Sequence, residues 1–391
     1  MFLRVFLSCL IIFSAVNATD ILSQNKKDIL KNEKEQNKKS SDVLEFDWIN
    51  SINLSYSHSK SDITTPSQSS DNFSISLNQP IFRSGGIYYA IKYSKANREF
   101  LKLATSLKEK SLLKSAFVTL LSLKNIDLRI KKQKFLIKNA NIDIKRKKEQ
   151  YLSGVLDSSF LDNAVLNKNR LEIALLDMKS TKADLLKTFH TLSSLDYKKV
   201  NLPHLKLIDL QSYIKNNLVI KNVKADINRQ NYLKKMTISN YFPKVSLFAN
   251  YNHNRIKYLN TQDNSYKSYG VTISMPLFDI NRGKNIELQK LKYLKSKLEM
   301  IDKKNSEKEL YKSIVKKIEL YRKKISLAKE EEKLYASLLK TTKDLYSGGE
   351  KTIFDVQTMQ NSLNSTILDK KIYQNDLDIE LFKLYEHEAK W

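Results

Sequence analysis

The sequence predicts a mostly α-helical fold with a small β part, built from long antiparallel coiled-coil hairpins and four β-strands per chain on a duplicated plan. Three observations predict it. The 391 residues include only seven Gly and five Pro, against about 27 and 20 from average usage. Four short segments alternate apolar and polar residues. Matching landmarks also recur some 195 residues apart. So few chain breakers exclude Rossmann, TIM-barrel and β-sandwich enzymes, which turn every dozen residues or so. With 41% hydrophobic and 28% charged residues, the composition is not that of a disordered chain either.

Residues 1–18 read as a cleaved secretory signal: Arg4, an apolar run from Val5 to Phe13, and a Val16-Asn17-Ala18 exit. The apolar run is about half the ~20 residues of a membrane-spanning helix. Cys9, the one cysteine, lies inside this segment, with too little apolar chain before it for a lipoprotein cleavage box. The mature chain is then free of disulfides and thiolate metal sites. It carries a charge of +25, the +26 of the whole chain less Arg4.

After a polar N-terminal segment at 19–44, a first repeat is expected at 45–200, with a strand pair at 45–79, a long helix at 87–151 and a returning helix at 158–194. A linker at 201–209 leads to a second repeat at 210–391. This repeat has a helix at 210–240, a strand pair at 244–275, a long helix at 285–345 and a returning helix at 352–388. Segment 19–44 carries Lys26, Lys27, Lys31, Lys34, Lys38 and Lys39 and is expected to be only partly helical. The long helices follow from 67 residues without Gly or Pro after Gly86 and 64 after Gly283, each able to reach roughly 90–100 Å. In the second, Tyr311, Ile314, Ile318, Tyr321, Ile325, Ala328, Tyr335 and Leu339 form a 3–4 seam, interrupted by Glu332. A narrow apolar stripe of that period is a coiled-coil pattern.

Strand signals are period-two alternations: Ile52, Leu54 and Tyr56; Phe73, Ile75 and Leu77; Val245, Leu247, Ala249 and Tyr251; and Tyr269, Val271, Ile273 and Met275. Their opposite faces hold mostly Ser, Asn and Thr, almost without charge, and aromatics gather near the strand ends. That favours a barrel with lipid outside and water inside. His58–Asp71 and His253–Lys267 are expected as roomy connections. Four strands cannot close a barrel, and an open edge in lipid leaves backbone groups unsatisfied. A membrane-spanning sheet must therefore be completed by neighbours, and a ring of three supplies twelve strands.

The duplication is visible in turn residues. Gln79-Pro80-Ile81-Phe82…Gly85-Gly86 matches Met275-Pro276-Leu277-Phe278…Gly283, with Pro80 and Pro276 196 residues apart. Gly154 with Phe160 matches Gly348 with Phe354, a shift of 194. With Tyr241-Phe242-Pro243-Lys244-Val245 opening the third strand, and the segments Gly154–Leu161 and Gly349–Val356, the chain resembles the outer-membrane factor, or TolC-like, channels of Gram-negative bacteria.

The resemblance implies a homotrimer: a twelve-stranded outer-membrane barrel continuing into a helical barrel in the periplasm. It implies an exit duct for efflux pumps or type I secretion, partnered by a periplasmic adaptor (membrane fusion) protein, an inner-membrane transporter and outer-membrane lipid. It also places a periplasmic gate at the hairpin tips, with Asp355 on the acidic position of the constriction and Thr358 where a second acid often stands. Tyr346 and Lys351 fall on positions that hold the closed state, with Ser159 beside Phe160, which replaces a hydrogen-bonding acid. From the residues alone, Asp355 sits in the first turn of a helix, favourable near the dipole's positive end. Gly154, Gly348 and Gly349 read as helix terminators, and the resemblance adds adaptor docking there. Pro80, Gly85, Gly86, Pro243, Pro276 and Gly283 mark the barrel-to-helix turns.

No catalysis or cofactor is expected: the five histidines share no ligand spacing, and no HExxH, GxSxG or P-loop occurs. The charge suggests nucleic acid, yet a secretory signal and the lack of a clustered basic motif argue against it. A secreted or periplasmic coiled-coil structural protein without channel activity is the alternative. An adhesin stalk would leave the two strand pairs unexplained.

Overall fold

The computed structural model describes residues 21–62, 67–257 and 259–389. The expected signal, residues 1–18 with Cys9, lies outside the described residues. In chain order the elements are α1 (Gln24–Phe46), β1 (Asn53–Ser61), β2 (Gln68–Phe82), α2 (Gly86–Leu152), α3 (Ser158–Leu192), α4 (Leu210–Asn216), α5 (Leu218–Ser239), β3 (Lys244–Lys257), β4 (Thr261–Ser274), α6 (Arg282–Ser347) and α7 (Ile353–Tyr385). The described residues divide into two compact units, one drawn from the stretches 21–29, 107–217 and 307–389, the other from 30–62, 67–106, 218–257 and 259–306.

The second of these units holds the sheet, antiparallel throughout, in the order β1-β2-β3-β4. Pro80 lacks an N–H for the ladder, and the β2–β3 register shifts beside it, between Pro80 and Phe82. The chain then leaves the sheet through Ser84 and Gly85, both at positive φ, and Ser84 Oγ donates to the Pro243 carbonyl at 2.7 Å. A Cβ on Gly86 would stand 2.7 Å from Ser239 Oγ, so α2 starts against the end of α5 only because that side chain is missing.

Three expectations need correcting. Segment 19–44 is not partly helical: α1 is continuous and runs on to Phe46, so the first strand begins at Asn53 rather than 45. Polar contacts hold α1 to α2. Arg98 pairs with Asp42 and Glu45, Lys95 with Glu45 at 3.3 Å, Asn37 donates to Thr105 at 2.9 Å and Ser94 to the Ser41 carbonyl at 2.6 Å. The loops expected at His58–Asp71 and His253–Lys267 are mostly strand, because polar residues on both faces conceal the alternation. The helix expected at 210–240 breaks at the buried Asn217, which leaves helical geometry (φ −59°, ψ 121°) and forms a β-bridge with Glu388.

In the helical unit, Leu113, Phe117, Leu120, Leu121 and Leu123 of α2 are buried, and the Phe117 ring stacks on Phe382 at 4.7 Å. The α6 seam turns inward as its 3–4 spacing demands. Ile314 and Ile318 pack with Leu377, Leu381 and Leu384 of α7 and with Tyr213. Glu332, the polar interruption, accepts from Lys370 of α7 at 2.9 Å. No described helix is long and apolar enough to cross a membrane.

Candidate functional site: the hairpin tips

Both tips belong to the helical unit and are built alike. α2 ends at Gly154 (φ +73°), with Val155 N–H returning to the Gln150 carbonyl at 2.8 Å. α6 ends at Gly349 (φ +81°), with Glu350 N–H returning to the Leu345 carbonyl at 2.9 Å. A left-handed residue there lets the chain satisfy the last carbonyls of a helix, and glycine adopts it without strain. Asp157 then caps α3 by accepting from Ser159 N–H at 2.8 Å, and Thr352 caps α7. The terminating glycines thus correspond at an interval of 195, not 194: Gly154 matches Gly349, and Phe160 matches Asp355 as the third residue of its helix. Gly348 needs no special backbone.

Asp355 is the most engaged tip residue. Its Oδ2 accepts from Thr352 N–H at 3.0 Å and from the Thr352 hydroxyl at 2.8 Å, closing a capping box. Its Oδ1 accepts from Arg146 Nη2 of α2 at 2.8 Å. The Thr352 backbone N–H, the Thr352 hydroxyl and then the Arg146 charge hold this carboxyl below the usual carboxylate range. Within one chain the first-turn reading of Asp355 therefore describes its contacts. Thr358 Oγ1 is turned back onto the Phe354 carbonyl at 2.7 Å. Tyr346, Lys351 and Phe160 are exposed, and the Ser159 carbonyl accepts from Asn163.

Arg146 was not foreseen, and it belongs to a series. Asn125 donates to Asp376 at 2.7 Å, Lys132 to Asp369 at 2.7 Å, and Asn139 accepts from Asn361 at 2.8 Å. With Arg146 to Asp355, these are polar rungs between α2 and antiparallel α7 at every seventh residue of α2. The available signal was arginine itself. α2 holds only Arg98, Arg129 and Arg146 amid many lysines, and planar guanidinium is the better carboxylate partner.

Of the turn residues, Pro80 and Pro243 lie at the β2 bulge and the start of β3, and Gly85 and Gly86 bear the constraints above. Pro276 follows β4, where Leu277 and Phe278 are almost fully exposed. Gly283 sits in the first turn of α6 with open space around it, and no constraint in the structure requires glycine there.

Residues 210–387 match the family model described as outer membrane efflux protein. That stretch is similar to outer membrane efflux proteins. No curated protein sequence matches it. Among solved structures it is similar to the Campylobacter jejuni CmeC outer membrane channel, at 15% identity over 96% of this chain and 86% of that one, with a TM-score of 0.77. It is similar to the Vibrio cholerae outer membrane protein VceC at 12% identity over 94% of each chain, TM-score 0.73. The open state of the Neisseria gonorrhoeae MtrE channel matches at 11% identity over 95% of this chain and 86% of that one, TM-score 0.66. These likenesses show that the chain shares the fold of those channels.

Proposed function

We propose that this chain is one subunit of a trimeric outer-membrane channel, a passive exit duct across the outer membrane and the periplasm. One observation carries it: the sheet has two chemically opposite faces and two open edges. Cross-strand partners share a face. One face stacks the rows Leu54, Ile75, Tyr251, Lys267; Leu77, Ala249, Tyr269; Gln79, Leu247, Val271; and Phe82, Val245, Ile273, apolar but for Gln79 and Lys267. Val271 and Ile273 are 60% and 74% exposed among the described residues. The other face holds Ser55, Ser74, Asn252 and Tyr266, then Ser76, Asn250 and Ser268. At about 7 Å per row, the apolar rows and the adjoining Phe73 row approach the ~25 Å band of an outer-membrane barrel. β1 and β4 each have one edge without a strand partner among the described residues, and lipid tolerates no such edge. Three copies placed edge to edge close twelve strands.

The helices fit this assembly. Leu320, Leu327 and Leu334 lie seven residues apart on the outside of α6, each about half exposed, and Leu166 and Ile173 do the same on α3. A neighbouring subunit would cover both rows. At the open ends of the hairpins, Gly154 and Gly349 present short turns suited to a periplasmic adaptor that joins the duct to an inner-membrane transporter. Asp355, with Tyr346, Lys351, Thr358, Ser159 and Phe160 around the tips, would form the constriction.

Native mass after detergent extraction tests the reading. The mature chain should run at three times its own mass and conduct ions in planar bilayers. Extraction into plain buffer as a single folded chain would instead make it a coiled-coil structural protein.

A further inference from the structure

The sheet sorts its charges at the loop end onto one face only. Beyond the apolar rows, that face carries Tyr56, Phe73, His253 and Ser265, then His58, Asp71, Arg255 and Asp263, then Lys60, Ser69, Lys257 and Thr261. At the same height the opposite face carries Ser57, Asn72, Asn254 and Asn264, then Ser59, Ser70, Ile256 and Gln262, without a charge. Charges kept for solubility would not need to choose a side. These lie where the membrane-facing side would leave the apolar band.

The two carboxylates are already engaged. His58 Nδ1 and Tyr56 Oη lie 2.7 and 2.9 Å from Asp71 Oδ1, and His253 Nε2 lies 3.3 Å from Asp263 Oδ1. Lys60 has one exposed partner, Asp62, at 3.6 Å, and exposed pairs hold little. Arg255, Lys257 and Lys267 are exposed and form no ion pair among the described residues. The outermost row thus offers two cations and two hydroxyls with no acid between them, and Arg255 stands one row inward. Lys267, opposite Tyr251, starts deeper, and a lysine stem can extend along apolar surface to bring its ammonium to the rim.

We propose that this rim binds the phosphates of anionic lipid headgroups: Lys60, Arg255, Lys257 and Lys267 supply charge, and the Ser69 and Thr261 hydroxyls supply hydrogen bonds. The proposal rests on the channel reading, since it needs the apolar face to lie in lipid. Because the strands run into α2 and α6 at the opposite end, the rim lies on the outer leaflet. Fixed cations next to an apolar band match a phosphorylated glycolipid surface in both charge and depth.

The test uses the mature full chain in phosphatidylethanolamine bilayers containing either diphosphorylated lipid A or its fully dephosphorylated form, with retained lipid counted by native mass spectrometry. Wild type should retain the phosphorylated form at least about fivefold more, and each of Arg255→Gln and Lys257→Gln should cost about fivefold, lost in high salt. Arg255→Lys should restore retention, and Lys244→Gln, on the other face, should leave it unchanged. Insertion without preference between the two lipids, or unchanged retention by the Gln variants, overturns the proposal and leaves the channel standing. Failure of wild type to enter either bilayer overturns both.

Discussion

Arg146 and Asp355, 2.8 Å apart, form the last rung of a polar ladder that climbs α2 in steps of seven residues from Asn125 through Lys132 and Asn139. A strict seven-residue repeat keeps one helix face toward its partner only if the pair supercoils. Polar rungs at that repeat fix the register of α7 on α2, because a slip of one residue breaks all four. The ladder ends near the tip, where Arg146–Asp355 is its last bond before the turn.

If Asp355 lines the constriction, Arg146 masks its charge. Asp355→Asn should weaken cation block of single-channel current, and Arg146→Gln should strengthen it. Each should move the blocking concentration by roughly three- to fivefold, the scale of an exposed ion pair. Equal block in wild type and both variants would remove Asp355 from the pore.

The same carboxyl gives the tip a pH dependence. Its folded pKa lies below the usual carboxylate value, so its contribution is complete above the unfolded pKa of about 4 and lost as pH falls through the lower folded value. Amide protection at Ile353–Gln357, taken relative to the intrinsic exchange rate at each pH, should therefore stay constant from pH 7 to 5 and fall below about 4. Thr352→Ala, which removes the cap hydroxyl, should cost about 1 kcal/mol in the protection of that turn at pH 7. Protection that falls between pH 7 and 5 would contradict this account.

Near Asn217, a buried carboxylate collects three neighbours on one oxygen. Tyr213 Oη and Asn217 Nδ2 donate to Glu307 Oε2 at 2.7 and 2.8 Å, and His387 Nδ1 lies 2.9 Å away. Burial alone would raise this carboxyl, but the bonds from His387, Tyr213 and Asn217 outweigh it and hold the pKa low. Stability from Glu307 is thus complete above the unfolded pKa of about 4.3 and is lost as pH falls through the lower folded value. Tyr213→Phe leaves the carboxylate short of a donor and should cost about 1–3 kcal/mol at pH 7, read as a lower urea midpoint. An unchanged midpoint would show that the cluster does not hold the C-terminal segment to α4 and α6.

Much of this architecture is legible in the chain because its long-range contacts repeat. The α6 seam is a run of Ile, Tyr and Leu at 3–4 spacing, and burial on α7 selects those residues. The middle of β3 is legible because Leu247, Ala249 and Tyr251 alternate with Asn250 and Asn252. The rim is hidden: His253, Arg255 and Lys257 alternate with Asn254 and Ile256, and hydropathy does not distinguish charge beside a membrane from a loop. α1 is hidden too, since Asp42 and Glu45 are satisfied by Arg98, more than 50 residues on. The Arg146–Asp355 rung joins residues 209 apart, a distance that no local pattern encodes. The interval of 194 mistook the first glycine of Gly348-Gly349 for the terminator, a choice that only backbone φ decides.

Gly270 offers a test of the polar face of the sheet. It sits in β4 opposite Phe248 of β3, and its φ is not among the positive ones, so backbone freedom is not why it is glycine. The reason is space: a Cβ there would lie 2.9 Å from two carbons of the Phe248 ring, which covers the gap between strands. The Phe248 ring must move aside to make room, so Gly270→Ala should cost about 1 kcal/mol and Gly270→Val more. Because β4 is an edge strand, its distortion would appear as loss of trimer in native mass measurements. Phe248→Ala removes the clash, so the pair Phe248→Ala with Gly270→Val should assemble better than Gly270→Val alone. Two substitutions that simply added their defects would place the Phe248 ring elsewhere in the assembled channel.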